Sequence, residues 1–477
     1  MDARGRDCGA RRRRARLRAQ RRGSVAARGG RGRGRSGRAS HGGCAEPGRG
    51  PRQRAHARRR RRGRDQQGLL GRQPILVPRR ATIVLVVWVA LAVGNGLYFS
   101  FSVFLVPLVD EFHWSRGLTA GAQSISTIVQ GLLAPVAGIL VDRFGPRRVI
   151  LTGAALLSGA SLLGATIHSA WELYLYTGAL GAAGLVGLGP VPMGVLISRW
   201  FSERRGRAVG VAFSGMGFGV FVMGPLAQWL IAVAGWRVAS AVLGLGALGV
   251  LAPIVWIGAR DPVPASARAG GSSRAGELPA PAPDWTLKRA VATRTFWALW
   301  LANMCTPLAV FPVTTHQVAF AIDRGFEPML AASVFGVMGL MSILGRAGFG
   351  LAADRFGGPL AATVSYGCTA GGSLALLALE SDQRAGWLVA YALLFGLGFG
   401  ARGPIITVMA SDLFGGRRLG VIYGALSLGN GFGGAIGPWF GGFVHDVMGS
   451  YRLVFLASVV FCALGSTCFW LAPRRAP

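Results

Sequence analysis

Long apolar runs separated by short polar breaks make up the chain from residue 81 onward. A helix that crosses a lipid bilayer needs about 20 predominantly apolar residues. Glycine and proline within such runs are tolerated, because neighbouring helices satisfy the backbone groups that they free. The pattern predicts an all-α membrane protein with twelve transmembrane helices, at 81–108, 117–140, 147–167, 171–198, 207–232, 237–258, 295–321, 328–351, 360–380, 386–410, 418–443 and 450–472.

The first 80 residues differ from the rest in composition, since they hold 27 of the 52 Lys and Arg and 4 of the 19 Asp and Glu. Large apolar residues are almost absent before residue 75, so we expect a disordered basic tail over 1–80. Its runs Arg11–Arg14 and Arg58–Arg62 favour binding to nucleic acid or anionic lipid, but the tail has no aromatic residue on which bases could stack. A further interpretation is that the working protein starts near Val77, because a single lysine beside 51 arginines indicates a GC-rich gene whose random translation yields such tails.

The positive charges of the loops predict the orientation. With a cytoplasmic N-terminus, the inner loops and the C-terminal tail carry eighteen Lys and Arg from residue 81 onward, against five in the outer loops. Cytoplasmic loops are enriched in these residues. We therefore expect a multi-pass protein of the bacterial cytoplasmic membrane with both termini in the cytoplasm.

The two halves of the chain resemble each other at an offset of 212–215 residues. The stretch 138–145 returns at 350–357, and the glycines of 215–219 return at 429–433. Glycines four residues apart in both copies predict close packing between helices. An even number of spans gives both copies the same orientation, as in transporters whose two six-helix halves rock about a central site. The repeat predicts four segments: a tail at 1–80, an N-terminal bundle at 81–258, a cytoplasmic linker at 259–293 and a C-terminal bundle at 294–477.

Over residues 81–472 the sequence resembles the major facilitator superfamily. The residues that match its signature after the second helix are Gly138, Asp142, Arg143, Gly145, Arg147 and Arg148, and the degraded second copy keeps Asp354 and Arg355. The resemblance implies two pseudo-symmetric six-helix bundles. In them, the aspartate can pair with arginine across the cytoplasmic face and latch one conformation. The alternative is a polar loop whose charges are paired without such a role.

Within that superfamily the chain is similar to oxalate/formate antiporter-like and monocarboxylate-transporter-like members. The similarity is carried by 98–104 and 111–116, by 200–210, and by Arg346 eight residues before Asp354, where these carriers place an anion-binding arginine. Two positions depart from the pattern. The eleventh span has no lysine, and Ser342 stands where eukaryotic monocarboxylate carriers have an aspartate.

Arg346 and Arg402 are the two arginines predicted inside apolar spans. An arginine at the centre of a spanning helix costs about 2.5–3.5 kcal/mol on insertion scales, so each needs a partner, a cavity or a function. At a rise of about 1.5 Å per residue, Arg346 lies about 12 Å from Asp354 and Arg402 about 15 Å from Asp412, both near mid-membrane. Two guanidiniums at similar depth could clamp a carboxylate. Alternatively, one or both brace the fold through backbone carbonyls. We expect Gly403-Pro404 to break the helix beside Arg402 and to free backbone groups there.

Carboxylates are nearly absent from the apolar spans. The acidic residues nearest to them all fall at outer helix ends: Asp110, Glu111, Glu172, Asp323, Glu327, Glu380 and Asp382. Buried cations without buried acids indicate an anionic substrate. His316 can change charge near neutral pH and is the candidate proton-coupling residue, although a satisfied hydrogen-bonding role is the alternative. Tyr98 is the candidate substrate-binding residue of the N-terminal bundle.

These observations predict a secondary transporter of small organic anions, monocarboxylates or short dicarboxylates, that works by alternating access as an exchanger or a proton symporter. A broad-specificity efflux carrier and a membrane-anchored protein that binds nucleic acid or lipid through the tail are the alternatives. No nucleophile–base set, metal-ligand cluster or phosphate loop is present, so we expect no enzyme activity, metal or cofactor. The expected partners are the anion, the lipid bilayer and, in a symporter, protons. We expect a monomer that binds no nucleic acid.

Overall fold

The computed structural model describes residues 80–201, 205–259, 285–414 and 419–471, and every regular element within them is helical. The predicted tail, apart from Arg80, and residues 260–284 of the predicted linker lie outside these ranges. We refer to the described residues up to 259 as the N-terminal half and to those from 285 onward as the C-terminal half.

The helices follow the predicted apolar runs. Those of the N-terminal half are α1 (Arg80–Phe99), α2 (Phe101–Phe112), α3 (Arg116–Phe144), α4 (Pro146–Gly164), α5 (Ala170–Leu173), a π-helical stretch (Tyr174–Gly181), α6 (Ala182–Gly187), α7 (Pro190–Trp200), α8 (Arg205–Phe213) and α9 (Gly215–Gly258). Those of the C-terminal half are α10 (Leu287–Val291), α11 (Arg294–Asp323), α12 (Pro328–Phe356), α13 (Gly358–Ser381), α14 (Ala385–Gly398), α15 (Arg402–Phe414), α16 (Leu419–Met448) and α17 (Arg452–Leu471).

Nine helical stretches of the described chain are long and apolar enough to cross a membrane, and two shorter apolar helices cover Ala385–Gly398 and Ile405–Phe414. One of the nine, Ala208–Gly258, has 51 residues and contains a sharp break at Gly235, where φ is 80° and ψ is 163°. Only glycine adopts such a backbone conformation readily. The break lies between the predicted spans 207–232 and 237–258.

The repeated glycines bring helices into close contact in each half. In the N-terminal half, a methyl group on Gly215 or Gly219 would overlap the main-chain oxygens of Trp88 and Ala92 on α1. In the C-terminal half, Gly429 and Gly433 of α16 lie in the same way against Trp300 and Met304 of α11. Small residues four apart allow backbones to approach closely in membrane helices. The sequence-based interpretation of these glycines as packing positions is confirmed.

A break in the helix that carries Arg402 is also found, but not at the predicted place. We expected Gly403-Pro404 to interrupt it, whereas the chain leaves the helix over Phe399–Ala401 and resumes at Arg402. Gly400 has φ of 78° there, and Pro404 falls in the first turn of α15. Proline is tolerated in a first turn because the N–H that it lacks has no partner within the helix.

The two halves meet along α3 and α16, along α9 and α12, and where α2 approaches α11. The buried residues of α3 are concentrated between Gly117 and Thr127, while Leu132, Ile139 and Phe144 further along the helix are exposed. In α12, likewise, burial ends at Gly345. We call the end of the molecule with Arg116 the Arg116 end and the opposite one the Asp142 end. Both helices are buried toward the Arg116 end and exposed toward the Asp142 end.

Candidate substrate site and contacts between the halves

Arg346 lies on α12 at the boundary between the two halves. Its side chain is partly buried, and Nη1 donates to the main-chain oxygen of Phe213, at the end of α8 in the N-terminal half, over 3.3 Å. No ion pair involves Arg346 among the described residues. The guanidinium therefore has one long hydrogen bond to a neutral acceptor and keeps donors available for an anion.

Gly400, in the break before α15, lies directly against the guanidinium of Arg346. A Cβ atom at this position would lie 2.6 Å from Nε of Arg346, and the positive φ already disfavours any side chain. One turn before the arginine, Ser342 donates to Gly339 of its own helix and packs against Gly217 of α9. The arginine is thus positioned by close backbone approaches from both halves.

Aromatic rings connect the break after α1 with the break before α15. Phe99 and Phe399 belong to different halves, and their ring centroids are 5.6 Å apart in an edge-on arrangement. Tyr98, the predicted substrate residue, packs edge-on against Phe99 at 5.1 Å and lines a mainly apolar cavity within the N-terminal half, together with Gln123, Ser126 and Trp236. Tyr98 is therefore linked to the Arg346 region through two phenylalanines and not by direct contact with the guanidinium.

Arg402 lies in a different environment, inside the C-terminal half. Its side chain is fully buried, and the guanidinium stacks over the Tyr366 ring at 4.5 Å. None of its three nitrogen atoms has a hydrogen-bond partner within the part of the chain that the structure describes. Tyr366 in turn donates to the main-chain oxygen of Ala302. The two predicted arginines thus do not share one pocket wall in this conformation.

At the Arg116 end, an arginine of the N-terminal half is bound by residues of the C-terminal half. Arg116 donates to both oxygens of Asp323, at 2.5 and 2.7 Å, and to the hydroxyl of Tyr451 at 2.8 Å. Asp446 accepts from the backbone N–H groups of Arg116 and Gly117 at the start of α3. We call Arg116, Asp323, Asp446 and Tyr451 the Arg116 cluster. It joins the halves where α3 is buried.

His316, the predicted proton-coupling residue, adjoins this cluster. Its side chain is 1% exposed, with Nε2 2.9 Å from the main-chain oxygen of Pro438 and Nδ1 3.2 Å from the Tyr451 hydroxyl. Both ring nitrogens therefore have partners, and one of those partners also binds Arg116.

The amino-acid sequence matches the family model of the Major Facilitator Superfamily over residues 86–425 and 349–477. The chain belongs to the major facilitator superfamily. Its members are multi-pass membrane transporters, so the protein is a transporter and not an enzyme.

Similar proteins agree with this assignment. Monocarboxylate transporter 13 of Bos taurus is 30% identical over 389 residues, which cover 80% of this chain and 87% of that protein. An uncharacterized MFS-type transporter of Bacillus subtilis, YcxA, is 25% identical over 406 residues, 82% of this chain and 94% of its own length. Among solved structures, a bacterial homolog of the human lysosomal transporter Spinster, inward-facing and unoccupied, superposes with a TM-score of 0.64 at 17% identity, covering 83% of this chain and 97% of that one. That likeness shows the major facilitator fold.

The superfamily signature occupies the Asp142 end. Gly145 and Gly357 cap the two copies with φ of 81° and 92°, which explains glycine at these turns. Asp142 and Asp354 form no ion pair with any described residue, and residues 202–204, next in the chain after α7, lie outside the described ranges. The predicted latch therefore stays a prediction.

The arginines of the signature contact aromatic rings. Arg143 and Arg355 lie over the neighbouring Phe144 and Phe356. Arg147 lies over Trp256 at 4.6 Å and donates to its main-chain oxygen, which ties the start of α4 to the end of α9. Arg148 is exposed, and Gly138 has open space beside it.

The Arg116 cluster is not predicted by the sequence. Arg116 counts there as a charge of an outer loop and Asp323 as an acid at an outer helix end, and no local pattern links them to Tyr451 or Asp446. A signal was present, because Arg116 and Asp323 are opposite charges predicted on the same side of the membrane, one in each half of the repeat.

Proposed function

We propose that the protein is a secondary active transporter that carries small organic anions, monocarboxylates or short dicarboxylates, across the bacterial cytoplasmic membrane by alternating access. It works as an anion exchanger or as a proton symporter. Twelve transmembrane helices form two six-helix bundles, and both termini lie in the cytoplasm. The Asp142 end then faces the cytoplasm and the Arg116 end faces outward.

The surroundings of Arg346 carry this proposal. A guanidinium at the boundary of the two halves has a neutral acceptor at 3.3 Å, and no acidic side chain of the described chain is paired with it. Hydrogen bonds between arginine and a carboxylate are shorter and about twice as strong as those to neutral acceptors. A carboxylate that enters between the halves displaces the Phe213 contact and couples substrate binding to their relative movement.

The state of the two ends supports access from the cytoplasm in this conformation. The Arg116 cluster closes the outer end, whereas α3 and α12 are exposed toward the Asp142 end. A carrier in this state accepts or releases its substrate on the inner side. The names of its monocarboxylate transporter relatives support a carboxylate as the cargo.

The other predicted residues take subordinate roles. Arg402 serves as a second cation that attracts the anion toward the break before α15. Tyr98 contacts the substrate from the N-terminal half, and His316 couples a proton to transport. Asp142 and Asp354, with the signature arginines, latch the cytoplasmic face when the outer end is open.

Uptake of radiolabelled lactate and oxalate into proteoliposomes tests the proposal. Arg346→Lys keeps the charge but loses the planar fork, and Arg346→Ala removes both, so we expect partial and near-complete loss of uptake, respectively. Arg384→Gln is the matched control, because its side chain is 83% exposed at the start of α14. Wild-type uptake by Arg346→Ala, with correct insertion of all variants, would contradict the proposal. Deleting residues 1–76 should leave uptake unchanged.

A further inference from the structure

The hydrogen bonds around Tyr451 have directions that their chemistry fixes. Arginine can only donate, so the Tyr451 oxygen accepts from Arg116. A carbonyl oxygen can only accept, so Nε2 of His316 carries a proton and donates to Pro438. When the imidazole is neutral, Nδ1 is therefore an acceptor, and it receives the hydroxyl proton of Tyr451. One ordered chain therefore runs from His316 through Tyr451 and Arg116 to Asp323.

Tyr451 is the central link of this chain. It is 2% exposed, its ring lies 5.4 Å from the His316 ring, and Arg116 lies over its face at 5.6 Å. Its single proton orients the hydroxyl toward His316 and leaves an oxygen lone pair for Arg116. A neutral His316 therefore favours the position of Arg116 that closes the outer end.

Protonation of Nδ1 reverses this arrangement. The imidazolium has two donors and no acceptor, so the Tyr451 proton loses its partner. A second positive charge also comes to lie across one phenol from Arg116. Like charges at such separation, inside a poorly solvated helix bundle, destabilise each other. The other charged or titratable groups that face this site are Asp323, Asp446 and His445.

We propose that His316 is a proton-binding site whose occupation releases Tyr451 and Arg116 and thereby opens the outer end of the transporter. The inference rests on the orientation and transport function proposed above, and it extends them by naming the residues that sense the proton. The proton is transferred to Nδ1 from hydronium in the outer solution, so that one N–H bond forms as one O–H bond of hydronium breaks and water is released. When the proton leaves toward the cytoplasm, the neutral imidazole again accepts from Tyr451 and the outer end closes.

His445 is the neighbouring imidazole whose protonation has to be distinguished from that of His316. Its Nε2 lies 4.0 Å from an oxygen of Asp323, and its ring lies 4.5 Å from that of Tyr451. A proton on His445 adds a positive charge beside Asp323 on the C-terminal half without taking the acceptor from Tyr451. That charge also lies near Arg116, so opening by acid alone does not identify His316, and the two histidines are distinguished by replacing each one separately.

The test measures the separation of the two outer ends directly. Unnatural amino acids that carry spin labels replace two exposed residues, Trp171 of the N-terminal half and Gln383 of the C-terminal half. Double electron–electron resonance then measures the distance between the labels in the full chain, in lipid nanodiscs and without any anion. The pH is lowered stepwise from about 8 to about 4, a range that extends below the interval in which a solvated imidazole changes charge, because His316 is buried. We expect wild type to shift from short to longer distances, with the ratio of open to closed molecules rising by at most about tenfold per pH unit, as one linked proton requires.

Three variants decide the assignment. His316→Gln can still donate to Pro438 and accept from Tyr451, but it cannot take up a proton, so it should stay closed at every pH. Tyr451→Phe keeps the ring and loses the link, so the open population should be raised several-fold at high pH and respond little to acid. His445→Gln should open like wild type.

An acid response that persists in His316→Gln would overturn the inference, and loss of that response in His445→Gln would assign the proton site to His445. The outcome is separable from the proposed function, because no anion is present. If the outer end responds to pH but wild type transports no carboxylate, the proposed cargo fails and the proton site stands. If carboxylates are transported and the outer end ignores pH, only the proton site fails.

Discussion

Arg346 of the C-terminal half donates to the main-chain oxygen of Phe213 in the N-terminal half over 3.3 Å. Hydrogen bonds between nitrogen and oxygen usually measure about 2.7–3.2 Å, so this bond is long. Its acceptor is also neutral. The contact is therefore easily exchanged for one to a carboxylate. Since it also joins the two halves, an anion that replaces it acts on the relative position of the halves.

The position of Arg346 depends on Gly400. We expect Gly400→Ala to reduce anion uptake at least tenfold, because its Cβ would meet Nε of Arg346 and because the backbone is in a left-handed conformation. Gly403→Ala is the matched control three residues away, where a Cβ meets no atom within 4 Å. Initial uptake rates into proteoliposomes measure both. Equal rates in the two variants would show that Gly400 does not position the arginine.

Arg402 should destabilise the folded protein while it supports anion transport. Replacing this buried, unpaired guanidinium with methionine should raise the thermal unfolding midpoint, because a buried group without hydrogen bonds costs about 1–3 kcal/mol or more. The same Arg402→Met variant should transport anions at least tenfold more slowly. Thermal unfolding in detergent and uptake in proteoliposomes give the two readouts. A variant that loses stability and keeps full uptake would make Arg402 a structural brace on Tyr366.

The pair Arg116–Asp323 should determine how readily the outer end opens. Either Arg116→Ala or Asp323→Asn removes a bidentate contact between the halves, so the outer end should become more accessible to a membrane-impermeant reagent. The double variant should be little worse than the single ones, because all three lose the same interaction. Fully additive effects on accessibility would contradict a direct coupling of the two side chains.

The repeated glycine contacts should be required for folding. Gly219→Leu would force a side chain into the main-chain oxygen of Ala92, so we expect little monodisperse protein after extraction from the membrane. Gly246→Ala on the same helix is the control, since its Cβ has open space. Fluorescence-detected size-exclusion chromatography compares the two. Normal yield of Gly219→Leu would mean that α1 and α9 tolerate a wider separation.

The sequence predicts what depends on local periodicity and on the repeat. Helical runs, the glycine contacts and the glycine turns of the signature all follow from patterns within about 20 residues or from their second copy. The break before α15 was predicted within four residues. Glycines and a proline mark this region, but they do not determine which residue takes the left-handed conformation.

The surroundings of individual side chains could not be predicted in the same way. Arg116 and Asp323 are 207 residues apart, and no local pattern pairs them. For Arg402, the sequence gives depth along the helix but not rotation about its axis. That rotation is set by the break over Phe399–Ala401, and it directs the guanidinium onto Tyr366 and into the C-terminal half.

Binding of a carboxylate to the purified transporter in nanodiscs, measured by calorimetry for wild type and for Arg346→Gln, tests the central claim most directly. Lactate and its uncharged amide serve as a matched pair of ligands, and Arg384→Gln controls for the loss of a surface charge. We predict that wild type and Arg384→Gln bind lactate but not the amide. In Arg346→Gln the affinity for lactate should fall at least tenfold, since a hydrogen bond to a charged group contributes about 1.5–3 kcal/mol. Equal affinity of wild type and Arg346→Gln for lactate would contradict the account.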